Sequence, residues 1–157
     1  MHISSVSAVF LENDGKYLLM KRGADRRMFP NVWGAVGGGA RDDELASPET
    51  TVLREIYEET GIERERIFDL RLRYVHIKRY SDCVVTHYIF FGRTDKHALG
   101  VTDEGTLHWI ARDEVTEREY TAVIRAIVRH YFAVGEGADE VYLVGENGDV
   151  NTISSLG

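Results

Sequence analysis

The chain of 157 residues has one cysteine, no internal repeat, no low-complexity linker and no apolar run near the roughly 18 residues that a membrane-spanning helix needs. The lone thiol, Cys83, excludes an internal disulfide and a cysteine-based zinc cluster, which fits a reducing compartment. No charged-then-apolar leader opens the chain, so neither export nor membrane insertion is indicated and a soluble, cytoplasmic protein is expected. Positive charge is also in deficit. Lys and Arg number 19 against 26 Asp and Glu, a net charge of −7, which argues against broad electrostatic binding to nucleic acid. What remains is ordinary globular material: 43% hydrophobic residues in a length that buries a proper core, hence a single domain over 1–157.

Local patterns predict a mixed α/β order. Ile3 to Leu11 is apolar and β-prone, Asn13-Asp14-Gly15 is a hairpin signal, and Lys16 to Lys21 continues as a second strand. Arg22 to Val32 reads as a loop and Trp33 to Val36 as a short strand leading into Gly37-Gly38-Gly39, whose freedom of φ suits a turn. Leu70 to Arg79 and Val84 to Phe91 are expected to pair around Ser81-Asp82, with a further strand over His108 to Ala111. Glu117 to Ala133 reads as an amphipathic helix with Tyr120, Val123, Ile124, Ile127 and Val128 inward. The tail, Val141 to Val144 and Val150 to Ile153 around Glu146-Asn147-Gly148-Asp149, predicts a terminal hairpin at 141–153.

The most informative segment lies between Gly38 and Ile62. Ser47 is a good N-cap, Pro48 suits the first helical position, Glu49 favours the first turn and Gly61 supplies a left-handed C-terminal residue, so a helix is predicted from Pro48 to Thr60. On it Glu55, Glu58 and Glu59 share one face, while Val52, Leu53, Ile56 and Thr60 share another. Like charges at i, i+3 and i+4 weaken a helix by roughly 0.2–0.5 kcal/mol per pair, so helix stability gives no reason to gather them. A hard divalent cation does, since oxygen-only carboxylate surroundings suit Mg²⁺ or Mn²⁺. Arg54, four residues before Glu58, is placed to orient a carboxylate with its rigid fork.

This stretch resembles the Nudix box: a glycine, five residues, a glutamate, seven residues, then R-E-U-x-E-E-x-G-U with U aliphatic. Gly38 and Glu44 match the first spacing and Arg54 through Ile62 match the last block; nine residues rather than seven lie between Glu44 and Arg54, so Leu45-Ala46 reads as a two-residue insertion. The resemblance covers nearly the whole chain, weakest after about residue 134, and implies a Nudix-like α/β/α sandwich with a mixed β-sheet. It further implies hydrolysis of a nucleoside diphosphate linked to another moiety, with (d)NTPs or oxidised (d)NTPs as leading substrates, as in MutT-type pyrophosphohydrolases. Mg²⁺, for which Mn²⁺ can substitute, would be held by Glu55, Glu58, Glu59 and Glu44. The base that activates water is either Glu55 or an acidic residue outside the box, here Glu104, with Arg54 in support. Arg22, Gly38, Gly39 and Trp33 are candidates for substrate binding, and Phe29 and Tyr74 for stacking on a base.

The expected partner is a small nucleotide, with no membrane or nucleic acid and with a homodimer permitted. Other readings remain open: an ADP-ribose or nucleotide-sugar pyrophosphatase shares the whole box, and a non-catalytic Nudix-like ligand sensor shares the fold but normally degrades the box. An isopentenyl diphosphate isomerase would need a cysteine in an early strand, and Cys83 is not there. The six histidines show no ligand spacing, and His76, His87 and His108 read as structural.

Overall fold

The computed structural model describes residues 1–97, 102–148 and 150–157. Its elements are β1 (His2–Asn13), β2 (Lys16–Arg22), β3 (Trp33–Gly34), β4 (Val36–Gly39), α1 (Pro48–Thr60), β5 (Ile67–Arg79), β6 (Cys83–Thr94), β7 (Gly105–Ala111), α2 (Arg112–Val115), α3 (Ala122–His130), β8 (Tyr142–Asn147) and β9 (Val150–Ser155). The strands form one mixed sheet in the order β3-β2-β1-β6-β5-β8-β9, with β4 paired to β1 and β7 to β2. β1 runs parallel to β6 and β5 parallel to β8, while the hairpin partners are antiparallel.

Local chemistry explains the hairpins. Asp14 and Gly15 both take positive φ, 52° and 76°, between the paired Asn13 and Lys16, which is the two-residue turn whose twist matches that of its strands. β5 and β6 pair around Ser81-Asp82 as expected, and the terminal hairpin forms from β8 and β9; Asp149 of its anticipated turn lies outside the described residues.

Period-two alternation along β1 sends side chains to two cores. Val9 and Leu11 join Leu18, Val36, Val52, Ile56 and Phe90 beneath α1. Phe10 joins Leu19, Tyr74, Ile89, Phe91, Ile127 and Val128 beneath α3. The sheet is therefore covered by one helix on each face, the expected three-layer sandwich. Among the described residues, no helix is long and apolar enough to cross a membrane.

Two expectations change. The glycine triplet is no turn: Gly37, Gly38 and Gly39 lie opposite Ala8, Ser7 and Val6 in the β1–β4 ladder, and none takes positive φ. The helix expected over Glu117 to Ala133 begins only at Ala122. Before it, the Glu119 carbonyl accepts from the Trp33 N–H (2.8 Å), the Tyr120 carbonyl accepts from the Arg125 guanidinium (3.0 Å), and the Tyr120 hydroxyl donates to the Val115 carbonyl (2.6 Å). Tertiary partners there take groups that a helix would have used. The inward set holds all the same, with Tyr120, Ile127 and Val128 buried and Val123 and Ile124 packed against them.

Candidate active site

Helix α1 spans the predicted residues. Gly61 closes it with φ 74°, its N–H donating to the Tyr57 carbonyl at 2.9 Å. At the other end Ser47 occupies the cap position, yet its hydroxyl pairs with Thr50 Oγ1 (2.7 Å) rather than with a free backbone N–H. The Leu45-Ala46 insertion is an exposed turn closed by the Ser47 N–H donating to the Glu44 carbonyl (2.8 Å). The detour therefore leaves Glu44 beside the helix.

Arg54 does more than the i, i+4 spacing implies. Its Nε and Nη2 grip the two oxygens of Glu44 at 2.8 and 2.9 Å, and Nη1 bridges Glu55 Oε1 (2.9 Å) and Glu58 Oε2 (3.2 Å). Nη2 also donates to the Gly39 carbonyl at 2.9 Å, tying helix to strand. One guanidinium thus holds three carboxylates and a strand end in a fixed relation. Glu44 is buried, and its Oε2 also accepts from the Arg41 N–H and the Thr51 hydroxyl, each at 3.0 Å. The Arg54 hydrogen bonds, helped by the Arg41 amide, hold the Glu44 carboxyl down to about 2. Both its oxygens are committed to protein donors, so the structure gives Glu44 an anchoring position in place of the metal-facing one anticipated for it.

The pKa values of Glu55 and Glu59 are shifted the other way. Glu55 is buried against β4, and a Cβ on Gly38 would stand 2.5 Å from its carboxyl carbon and 2.5 and 2.7 Å from its oxygens. Gly38 is thus needed for close approach rather than for its φ. Burial raises the Glu55 pKa, Arg54 opposes the rise, and the charges of Glu58 and Glu104 add to it. Burial likewise raises Glu59, a Thr102 hydrogen bond opposes, and Glu104, Glu55 and Glu58 push further up. Glu104, half-buried in the loop before β7, is therefore close enough for its charge to act on both helix carboxylates, whereas Asp103 is exposed. Its loop is fixed by the Glu104 N–H donating to Thr102 Oγ1 (2.9 Å) and its carbonyl accepting from the Gly23 N–H (3.2 Å).

The donor chemistry fits a hard cation. Glu59 Oε2 is buried and has no hydrogen-bond partner among the described residues. A buried carboxylate oxygen left alone is costly, and a divalent ion would satisfy it. No three Asp, Glu, His or Cys side chains among the described residues already converge as a ready cage.

The remaining candidates fall elsewhere. Tyr74 is fully buried, its hydroxyl 2.8 Å from His130 Nδ1, so it belongs to the core and is not available to stack on a base. The Trp33 ring is flanked by Arg118 at 5.2 Å and Lys21 at 5.8 Å and meets His108 edge-on, which makes it a packing centre for the loop. Arg22 donates through Nε to the Met28 carbonyl (3.1 Å), shaping the 23–32 loop.

A cavity of about 430 Å³ opens on the α3 face, lined by Phe29, Ile89, Ile124 and Ile127 and, at one end, by His76, His87, Lys78 and Glu146. Nothing in the histidine spacing along a single element marked this group. The hairpin did carry a signal, because 76 and 87 are equidistant from the Ser81-Asp82 turn and so face each other across the two strands.

The NUDIX domain model matches residues 1–131. A MutT-like protein of Streptomyces ambofaciens is 32% identical over 118 residues, covering 75% of this chain and 70% of that protein. The nucleoside triphosphatase NudI of Escherichia coli is 39% identical over 61 residues, 39% of this chain and 42% of that protein. In fold, the mutator MutT protein of Bacillus halodurans superposes with a TM-score of 0.72 at 22% identity, covering 96% of this chain and 97% of its own. With the family model spanning most of the chain, and the glycine, arginine and glutamates of its motif assembled on α1 and β4, this chain belongs to the Nudix hydrolase family.

Proposed function

We propose that this Nudix hydrolase cleaves the diphosphate linkage of a nucleoside diphosphate derivative in the presence of a divalent cation, with (d)NTPs or oxidised (d)NTPs as the substrate class. The observation that carries the reading is the α1 acidic face, where Glu59 keeps a buried oxygen without a partner among the described residues while Arg54 and Gly38 fix Glu55 beside it. Similarity to a MutT-like protein and a nucleoside triphosphatase supports the same substrate class. Glu55, Glu58 and Glu59 would hold the ion. Mg²⁺, or Mn²⁺ in its place, would supply neutralisation of diphosphate charge and activation of water there.

The protein's own groups divide the remaining work. Arg54 orients Glu55 and Glu58 and keeps Glu44 ionised as its anchor. Glu104, its carboxylate near Glu55 and Glu59 and its backbone pinned to Gly23, accepts the proton of the attacking water as the new phosphorus–oxygen bond forms and the bridging bond breaks. The α3-face cavity, with apolar walls and one polar end, receives the nucleoside. The reading is tested by incubating the protein with a panel of nucleoside triphosphates, ADP-ribose and nucleotide sugars with and without Mg²⁺, and weighing the products. Triphosphates should be cleaved in a metal-dependent way, and Glu59→Gln should lower kcat by roughly a hundredfold or more while the thermal midpoint persists. Full turnover by that variant, or exclusive cleavage of sugar-linked diphosphates, overturns the assignment.

A further inference from the structure

The cavity on the α3 face is completed by residues from opposite ends of the chain. Its apolar walls come from the Phe29 loop, β6 and α3, whereas its polar end joins β5 and β6 to Glu146 on β8, beyond residues 1–131 that the family model matches. Glu146 Oε1 accepts from Lys78 Nζ at 3.3 Å, and its Oε2 lies 3.5 Å from His76 Nε2. His76 is 3% exposed, and its Nε2 has no hydrogen-bond partner among the described residues. Its other nitrogen, Nδ1, sits 3.3 Å from His87 Nδ1, with the two rings stacked at 5.3 Å.

These contacts favour one proton pattern. One Nδ1 must donate to the other, and a His76 that donated through Nδ1 would turn an Nε2 lone pair on the Glu146 carboxylate. In that pattern His87 donates through Nδ1, His76 carries its proton on Nε2 toward Glu146, and His87 keeps Nε2 as an acceptor. Glu146, 30% exposed and loosely held by two cations or donors, retains lone pairs for a further donor. The polar end of the cavity thus presents the Glu146 carboxylate as an acceptor with open lone pairs, beside the Lys78 ammonium.

We propose that Glu146 is a specificity-determining residue whose carboxylate, held by Lys78, selects bases bearing an exocyclic amino group over uracil, whose single ring N–H lies between two carbonyl oxygens. The proposal rests on the nucleotide-hydrolase reading given above. An amino group satisfies the carboxylate with a charge-assisted hydrogen bond; uracil offers it only N3–H, and in doing so sets a carbonyl oxygen against the carboxylate on either side. A site built around such a bond rejects an analogue that lacks it far more strongly than an apolar wall rejects an extra methylene.

The test is calorimetric binding of AMP, CMP, GMP and UMP without metal, to the parent and to Glu146→Gln, with thermal midpoints as a folding control. The three amino-bearing nucleotides should bind at least about tenfold more tightly than UMP, and Glu146→Gln should bring all four within about twofold. Equal affinities in the parent, no binding, or a preference that survives in Glu146→Gln overturns the proposal. A separate outcome distinguishes the underlying reading: selective binding with no hydrolysis of any triphosphate in Mg²⁺ sinks the proposed activity and leaves the role of Glu146 standing.

Discussion

The two faces of the sheet bury polar groups in opposite ways, and β1 supplies both. Toward α1 it presents Ser5, Ser7, Val9 and Leu11; toward α3 it presents Ala8 and Phe10. Under α1 the polar groups are ionised and clamped, with one guanidinium gripping Glu44, Glu55 and Glu58. Under α3 aromatic rings take their place, with Tyr74 against His130 and His76 stacked on His87, beside a cavity floored by isoleucines whose polar end carries Lys78 and Glu146. A fixed cluster of charge suits chemistry on phosphate, since preorganised charges need not reorganise during reaction. A hollow with apolar walls and one polar end suits recognition of a heterocycle. On the function proposed above, one sheet separates reaction from recognition, each on its own face.

The sharpest way to break this division is to remove the proposed base. A positioned base contributes typically 10²–10⁴-fold, while a remote solvated glutamate contributes almost nothing. Glu104→Gln should lower kcat by roughly 10²–10⁴-fold with little change in thermal midpoint, and Asp103→Asn, exposed beside it, should do much less. Steady-state kinetics decides. If Glu104→Gln turns over within about twofold of the parent while Glu55→Gln is dead, the base is Glu55.

Next in size is the contact between strand and helix. Gly38→Ala places a methyl where the Glu55 carboxylate now lies, at 2.5 Å from its carbon, so the carboxylate must move. Displacing a reacting group by about 1 Å costs on the order of 10²-fold, and kcat should fall by about that factor while KM for nucleotide changes little. Activity near the parent's would mean that Glu55 has freedom the clamp does not suggest.

Much of the α1 face could be read from the chain because its signals are local. Proline at the start, glycine at the stop and glutamates at helical spacing are all decided within one or two turns, and the helix runs over Pro48–Thr60 as those signals state. The Arg54–Glu44 grip was not legible in that way, since i, i+4 spacing pointed to Glu58 and only the path of the chain through Asp42–Glu44 brings the nearer partner in. Likewise the glycine triplet has turn chemistry but lies in a ladder, because Glu55 and the β1 backbone need its missing side chains. The α3 cavity draws on a loop, two strands, a helix and the terminal hairpin, so no window of sequence contains it.

Titration sharpens the comparison. Burial lowers the pKa of both His76 and His87 below the ordinary 6.5, so the unfolded chain binds more protons there and the α3 face loses stability as pH falls through and below about 6.5. On the α1 face Glu44 is depressed from 4.5 to about 2, so its contribution is fully present above 4.5 and is lost between 4.5 and about 2. Glu55 and Glu59 run the other way: their raised values mean that protonation relieves the metal-free protein as pH falls. Thermal midpoints measured with chelator should therefore drop in two windows, with His87→Phe flattening the upper and Glu44→Gln the lower. A single drop that neither variant alters would mean that the two faces do not titrate separately.

The smallest effect is expected at the inserted pair. Leu45 and Ala46 form an exposed turn, and the bond that closes it, from the Ser47 N–H to the Glu44 carbonyl, involves neither of their side chains. Changing loop length by two residues alters closure entropy by well under about 0.6 kcal/mol, the figure for a full doubling. Deleting Leu45 and Ala46 should then leave kcat within about threefold of the parent, provided Glu44 still reaches Arg54 by the shorter path. Kinetics and a denaturant melt on the deletion variant measure both parts. Loss of activity with the fold intact would show that the detour itself sets the position of Glu44, and that the clamp on the α1 face depends on those two residues.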